Sequence, residues 1–269
     1  MAKKARTDPA RSRPLTLPFL RDLGALKDLA PPTGRFDPSG AWTSQYRLWL
    51  VQRWRGGGSL RLRREPLSEG VRLHVDLAVV EVSGYLRRLH AVLDCAADAF
   101  CTPRSWKLTS QNLDRNDRPT TGTAFTETGA IRGGRLEVRF AKRTRKQEVP
   151  RPVTSSWSLF DVVQHLPAEK TRPLRFAVLE EMDLLKPAQR LAFRGTQQIE
   201  LGGQKLRLRG YHQVGRGVLP WQYWVDDAGR LLLAFSGVRA FLYDPNAEQW
   251  MQDRLRKARG AGREGGRAK

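Results

Sequence analysis

Cysteine is nearly absent. Among 269 residues there are two, Cys95 and Cys101, and the four histidines are scattered along the chain. A structural zinc site needs closely paired Cys or His ligands, so no metal motif is present. Two readings of the cysteines stay open. On one straight strand they would lie about 20 Å apart, too far for a disulfide; a turn at Ala96–Ala99 would instead close them into a small loop. Long apolar runs are also missing, and no segment approaches the ~18 to 20 residues of a membrane-spanning helix. The start of the chain is basic but lacks the roughly 7–15-residue apolar core of a secretory signal, because Leu15–Leu20 is broken by Pro18 and followed by Arg21 and Asp22. This predicts a cytoplasmic protein, with export to the cell envelope as the alternative if the true start lies elsewhere.

Catalytic motifs are missing too. There is no Gly-x-Ser-x-Gly elbow, and Gly202-Gly203 lacks the Gly-Lys-Ser/Thr ending of a phosphate loop. Glu180, Glu181 and Asp183 cluster, but neighbours on a strand point to opposite faces, so Glu180 and Glu181 cannot form a working carboxylate pair. Asp226-Asp227 falls at a turn, where Asp serves local hydrogen bonding. His74 and His90 read as cross-strand neighbours and His212 follows a strand, with no nucleophile beside any of them. The expectation is therefore a protein that is not an enzyme, with no cofactor and no metal.

Acidic residues are scarce. The 48 Lys and Arg outnumber 27 Asp and Glu, giving a formal charge of +21. Both ends are enriched: residues 1–35 carry eight basic and three acidic groups, and residues 254–269 carry seven and one. Basic tails attract phosphates through counterion release, which points to nucleic acid or an envelope polysaccharide as a partner. A bland reading competes, because 37 of the 48 are Arg, as a genome rich in G and C would favour. No zinc-finger spacing, RNP-like aromatic motif or recognition helix is present to decide between them.

What the chain does have is period-two alternation. Tyr46, Leu48 and Leu50 alternate with Arg47, Trp49 and Val51, Gly56-Gly57-Gly58 turns the chain, and Leu60 and Leu62 alternate beyond it, as in a hairpin. Val71 to Val79 alternates likewise, with a slip at Val79-Val80 that reads as a bulge. Further strands are expected over Leu86–Leu93, from Trp106, over Thr120–Thr128 and at Leu136–Phe140. They resume at Leu174–Val178, Leu191–Leu201, Leu206–Tyr211, Leu219–Val225 and Leu231–Phe235. About ten strands with hairpin-length turns exclude parallel βαβ units. One helix is expected inside this body, Ser155–Leu166, capped by Ser155 or Ser156, stopped by Pro167, and leaving Asp161 and Gln164 on its polar side. The fold class is thus mainly β: a large curved antiparallel sheet, an open or half barrel, packed on one central helix with short terminal helices. Residues 1–40 form a basic segment with a short amphipathic helix at Phe19–Leu29, residues 41–245 form the single β domain, and residues 246–269 form a short helix and a basic disordered tail.

Aromatic residues are the candidate site. Trp49, Trp106, Trp157, Phe160, Val163, Tyr223 and Trp224 are either ordinary core or the lining of an apolar cavity between sheet and helix, since curved antiparallel sheets hold apolar ligands on their concave faces. The long strands, the mid-chain helix and the late hairpin Leu219-Pro220-Trp221-Gln222-Tyr223-Trp224-Val225-Asp226 with Gly229-Arg230-Leu231-Leu232 resemble the bacterial lipoprotein-carrier type of open β-barrel. They are similar also to related bacterial families of unknown function. The resemblance is one of layout, spans roughly residues 42–244, and lacks the family's export signal and lipidation cysteine. It implies a half-barrel wrapped around a helix and holding a lipid or another apolar molecule.

Overall fold

A computed structural model describes Thr16, Leu17, Leu20, Leu26, residues 28–50, 57–80, 85–167 and 172–264. The strands are β1 Trp42–Leu50, β2 Gly58–Leu67, β3 Gly70–Val80, β4 Leu86–Cys95, β5 Pro103–Leu113, β6 Phe125–Arg132, β7 Arg135–Phe140, β8 Arg143–Glu148, β9 Val153–Ser155, β10 Leu174–Glu180, β11 Leu184–Leu201, β12 Gln204–Gly215, β13 Trp221–Val225, β14 Leu231–Ser236 and β15 Arg239–Tyr243. Helix α1 spans Ser158–Val162 and runs into a 3-10 turn at Val163–His165; α2 spans Ala247–Glu264.

All fifteen strands form one sheet in the order β8-β7-β6-β5-β4-β3-β2-β1-β15-β14-β13-β12-β11-β10-β9. Every pairing is antiparallel except β9 with β10. The chain meanders outward from β1 to β8, crosses to the opposite edge at β9, and meanders back until β15 pairs with β1. Only residues 149–152 separate β8 from β9. Five Cα steps reach at most about 18 Å, so the two edges are forced together and the sheet must curl. The curl remains an open, barrel-like sheet.

Helix α1 sits inside the curl. Leu159, Phe160, Val162 and Val163 are all buried in the same core as Leu60, Val75, Leu93 and Tyr223. The N-cap position is Trp157, with no side-chain cap bond, rather than Ser155 or Ser156; Ser155, which belongs to β9, accepts the Ser158 N–H at 2.9 Å and so ties the start of the helix to the strand. The helix is shorter than the sequence pattern implies. Its expected polar side is not exposed either: Asp161 is 4% and Gln164 2% accessible. Because sheet surrounds the helix, these groups find internal partners. Arg64 Nε donates to Asp161 Oδ1 at 2.9 Å, and Gln164 Oε1 accepts the Leu231 N–H.

The convex face is covered on one half. Leu17, Leu20, Leu26 and Leu29 pack on Ile199, Leu208, Leu233, Phe235 and Leu242; Phe19 and Leu23 of the expected N-terminal helix lie outside the described residues. Thus β14 is buried along its whole length. Met251 and Leu255 of α2 pack with Leu86 and Leu113 on the same outer surface. Arg47 pairs with Asp244 just before the helix. The helix expected over 247–255 continues to Glu264, so this part of the tail is helical, and Arg259 grips both Asp117 oxygens at 2.7 and 2.9 Å.

Other details depart from the sequence pattern. The Val79-Val80 slip is no bulge, since β3 keeps an unbroken register from Val71↔Cys95 to Val80↔Leu86. Val80 faces outward and packs against the α2 cluster, which explains two successive apolar residues. Bulges occur instead at Asp94/Cys95, Phe176/Val178, Phe193/Gly195 and Trp224/Val225. The expected Thr120–Thr128 strand begins only at Phe125. Ahead of it the Thr123 hydroxyl donates to the Thr120 carbonyl, closing a turn.

Candidate ligand-binding groove

Phe160 lies at the centre of an aromatic cluster. Its ring centroid is 5.5 Å from that of Phe241, 5.8 Å from Tyr46, and 6.2 Å from both Tyr223 and Trp157. Trp221 stacks on Tyr223 at 6.0 Å and on Phe241 at 6.2 Å. Burial raises the Tyr46 and Tyr223 hydroxyls well beyond the ordinary phenol range. Tyr46 donates to the Leu231 carbonyl and Tyr223 to Gln213 Oε1, so both are neutral structural donors.

The space expected between helix and sheet is filled. The cavity bounded by Trp157, Phe160, Tyr223 and Phe241 holds only about 30 Å³, roughly room for one water. A ligand of any length does not fit there. The sequence-derived residues therefore divide. Trp157, Phe160, Val163 and Tyr223 gather in the inner core. Trp106 belongs to that core but lies on β5, its ring against Gly129 and its Nε1–H donating to Glu127 at 3.0 Å. Trp49 and Trp224 point to the other face of the sheet: Trp49 packs near Trp250 of α2, with centroids 6.1 Å apart, and Trp224 lies over Gly210. Reading the chain alone misses this division, although the opposite parity of Trp49 and Leu48 carries it.

An open groove of mixed apolar and charged lining does exist, next to the filled cavity and sharing Glu180, Glu181, Trp221, Arg239 and Phe241 with it. It measures about 470 Å³. One wall is formed by Leu50 of β1 and Val79 of β3, the other by Trp221, Val238 and Phe241 around the β14–β15 turn, with Leu219 at the rim. Leu219 is 52% and Val238 42% accessible, so apolar side chains face water here. At the rim, Arg239 pairs with Glu181 at 3.2 Å and lies 5.2 Å over the Trp221 ring. Arg87 also lines the groove, and no ion pair is formed by it among the described residues. In the filled cavity, the Trp157 Nε1–H is buried without a hydrogen-bond partner.

Of the polar residues singled out in the sequence, Glu180 and Glu181 both line the groove and the cavity, and the others are spread over the molecule. Asp226 is in a turn, accepting the Arg230 N–H at 2.8 Å, and burial is the main cause of its raised pKa. His90 stands opposite Asp76 rather than His74 and binds it at 2.7 Å, while His74 meets Glu65. Burial lowers the His212 pKa, with Arg194 adding to the effect. Among the described residues no group of three or more His, Cys, Asp or Glu is placed to hold a metal ion, and no helix is long and apolar enough to cross a membrane.

The class that emerges is a barrel-like, mainly β protein wrapped around a short helix. No protein-family model matches the chain, and no curated protein matches it. Among solved structures it is similar to a β-barrel-like protein of a domain of unknown function, DUF1849, from Brucella abortus. The TM-score is 0.51 at 9% sequence identity, covering 76% of this chain and 96% of that one. That likeness shows the fold alone, and it agrees with the coarser part of the sequence resemblance, a β-rich, barrel-like architecture.

Proposed function

We propose that this protein is a non-enzymatic binder of an apolar or lipid-like molecule, seated in the groove at the open end of the curl. The groove itself supports the reading. Its volume falls in the range of small-molecule sites, about 300–1,000 Å³, and its exposed Leu219 and Val238 offer apolar surface that no part of the described chain covers. Burying such surface contributes about 25 cal/mol per Å², so a single acyl chain binds measurably. The expected location under α1 is replaced by this one. The lipoprotein-carrier resemblance accords with such a ligand. The test is a titration with a fluorescent fatty-acid probe. Binding is expected for the native chain and a loss of at least about tenfold, or ~1.4 kcal/mol, for Leu219→Glu combined with Val238→Asp. A probe that does not bind, or binds the double variant equally, overturns the proposal.

A second reading, contact with an anionic polymer, draws on a different face. Exposed Arg175 and Arg190 stand directly opposite each other on β10 and β11, and neither forms an ion pair among the described residues. Like charges directly opposed destabilise a sheet unless an anion lies between them. Affinity for DNA or heparin should then lose up to about two units of salt slope in Arg175→Gln/Arg190→Gln, near 0.9 per phosphate contact. An unchanged slope removes this face from any such contact.

A further inference from the structure

The two cysteines come together in the fold. Cys95 ends β4, and the chain returns to β5 with Cys95 opposite Pro103. Between them the turn is tightly organised. The Ala96 N–H donates to the Thr102 carbonyl at 2.9 Å and the Cys101 N–H to the Asp98 carbonyl at 3.1 Å. The Asp98 side chain accepts the N–H groups of Phe100 and Thr102. Cys101 holds a left-handed backbone, φ 44°, a conformation costly for a residue with a β-carbon. Both side chains are 2% accessible. Both belong to the same buried cluster beneath α1, with Cys95 Sγ 3.8 Å from the Ser158 hydroxyl at the start of that helix.

We propose that Cys95 and Cys101 form a reversible intrachain disulfide that closes the β4–β5 turn beneath the first turn of α1. The oxidant is a small-molecule disulfide of the glutathione class. One cysteine thiolate attacks it, forming a mixed disulfide and releasing one thiolate. The second cysteine thiolate then attacks the mixed disulfide at the protein sulfur, forming the Cys95–Cys101 bond and expelling the second thiolate. The two cysteine protons end on the released thiolates, so two protein thiols are oxidised and one small disulfide is reduced to two thiols. Burial places this exchange in folding or in transient opening of the turn, since the thiolate must be reached to react. The Cys95 side chain, then burial, push the Cys101 thiol well above its ordinary pKa, which keeps the reduced pair inert once folded.

The test uses the full chain, unfolded and refolded in a buffer of oxidised and reduced glutathione, then alkylated under denaturing conditions. Expected is a product two hydrogens lighter than the reduced chain, with no alkyl group added and a peptide map linking Cys95 to Cys101. Two alkyl groups, a glutathione adduct or a disulfide-linked dimer overturn the proposal. A second readout guards against poor refolding. Cys101→Ser should melt below the native chain in oxidising buffer and alongside it once reductant is added. A difference that persists unchanged with reductant overturns the proposal as well.

Discussion

Truncating Phe160 to alanine removes a side chain that touches four other aromatic rings inside the curl. The residue is 3% accessible, and cutting a buried Phe to Ala costs about 3–5 kcal/mol. The upper half of that range is expected here. Tyr46, Tyr223 and Phe241 are anchored on three different strands of a continuous sheet, so the wall cannot move inward as a loop would. Each lost edge-to-face contact adds about 0.5–1.5 kcal/mol beyond burial, although the contacts share one ring and do not sum. With about 2–4 °C per kcal/mol for a chain of this size, the melting temperature should fall by roughly 8–20 °C. Urea unfolding followed by tryptophan emission should show a lower midpoint with an unchanged slope. A variant that melts with the native protein would refute the reasoning, because α1 would then not be part of the core.

Glu127 offers a test by pH. Burial raises its pKa, with the Trp106 N–H opposing, so the folded state binds its proton more tightly than the unfolded chain does. Its contribution to stability is therefore full below the unfolded pKa of about 4.3 and is lost as pH rises through the folded value. Glu127→Gln, which keeps an acceptor for Trp106, should gain stability relative to the native chain as pH rises through that window; a pH-independent difference in urea midpoint contradicts this. Gly129→Ala would place a β-carbon 2.0 Å from the Trp106 ring. It should destabilise the protein by at least about 1 kcal/mol as an overpacked core site and shift tryptophan emission, and a silent substitution would mean that the ring lies elsewhere.

Much of the sheet can be read from alternation, because the buried face repeats every second residue: Leu73, Val75, Leu77 and Val79 on β3 behave as the pattern requires. The pattern is uninformative where a strand is exposed on both faces. Strand β8, Arg-Thr-Arg-Lys-Gln-Glu, has no apolar residue and lies at the sheet edge, so nothing in its sequence marks it. It fails equally where both faces are buried. On β14, Leu231-Leu232-Leu233-Ala234-Phe235 has no alternation because α1 lies on one side and the N-terminal leucines on the other. The aromatic residues were visible as candidates, but sorting them needed the register. Trp157 and Trp224 look equivalent in a list of tryptophans and lie on opposite faces of the sheet. The groove has the weakest signature of all, since Leu50, Val79, Trp221 and Val238 come from segments brought together only when β15 reaches β1.

That last pairing also sets an order of events. Tyr46 and Tyr243, 197 residues apart, are partners in the middle of the sheet. A ribosome adding about 5–20 residues per second therefore leaves one side of β1 bare for roughly 10–40 s after the strand emerges. The first eight strands can assemble as a meander in that interval, each on its predecessor, but β1 must wait with a row of unsatisfied amides and carbonyls, the kind of edge that templates aggregation. Two segments lie over or beside this stretch in the finished molecule, the leading leucines and α2, and α2 is made only after β15. The newborn chain thus passes through a stage in which half of its sheet is built and its central seam is open, and a chaperone that shields exposed strand edges would find its substrate there.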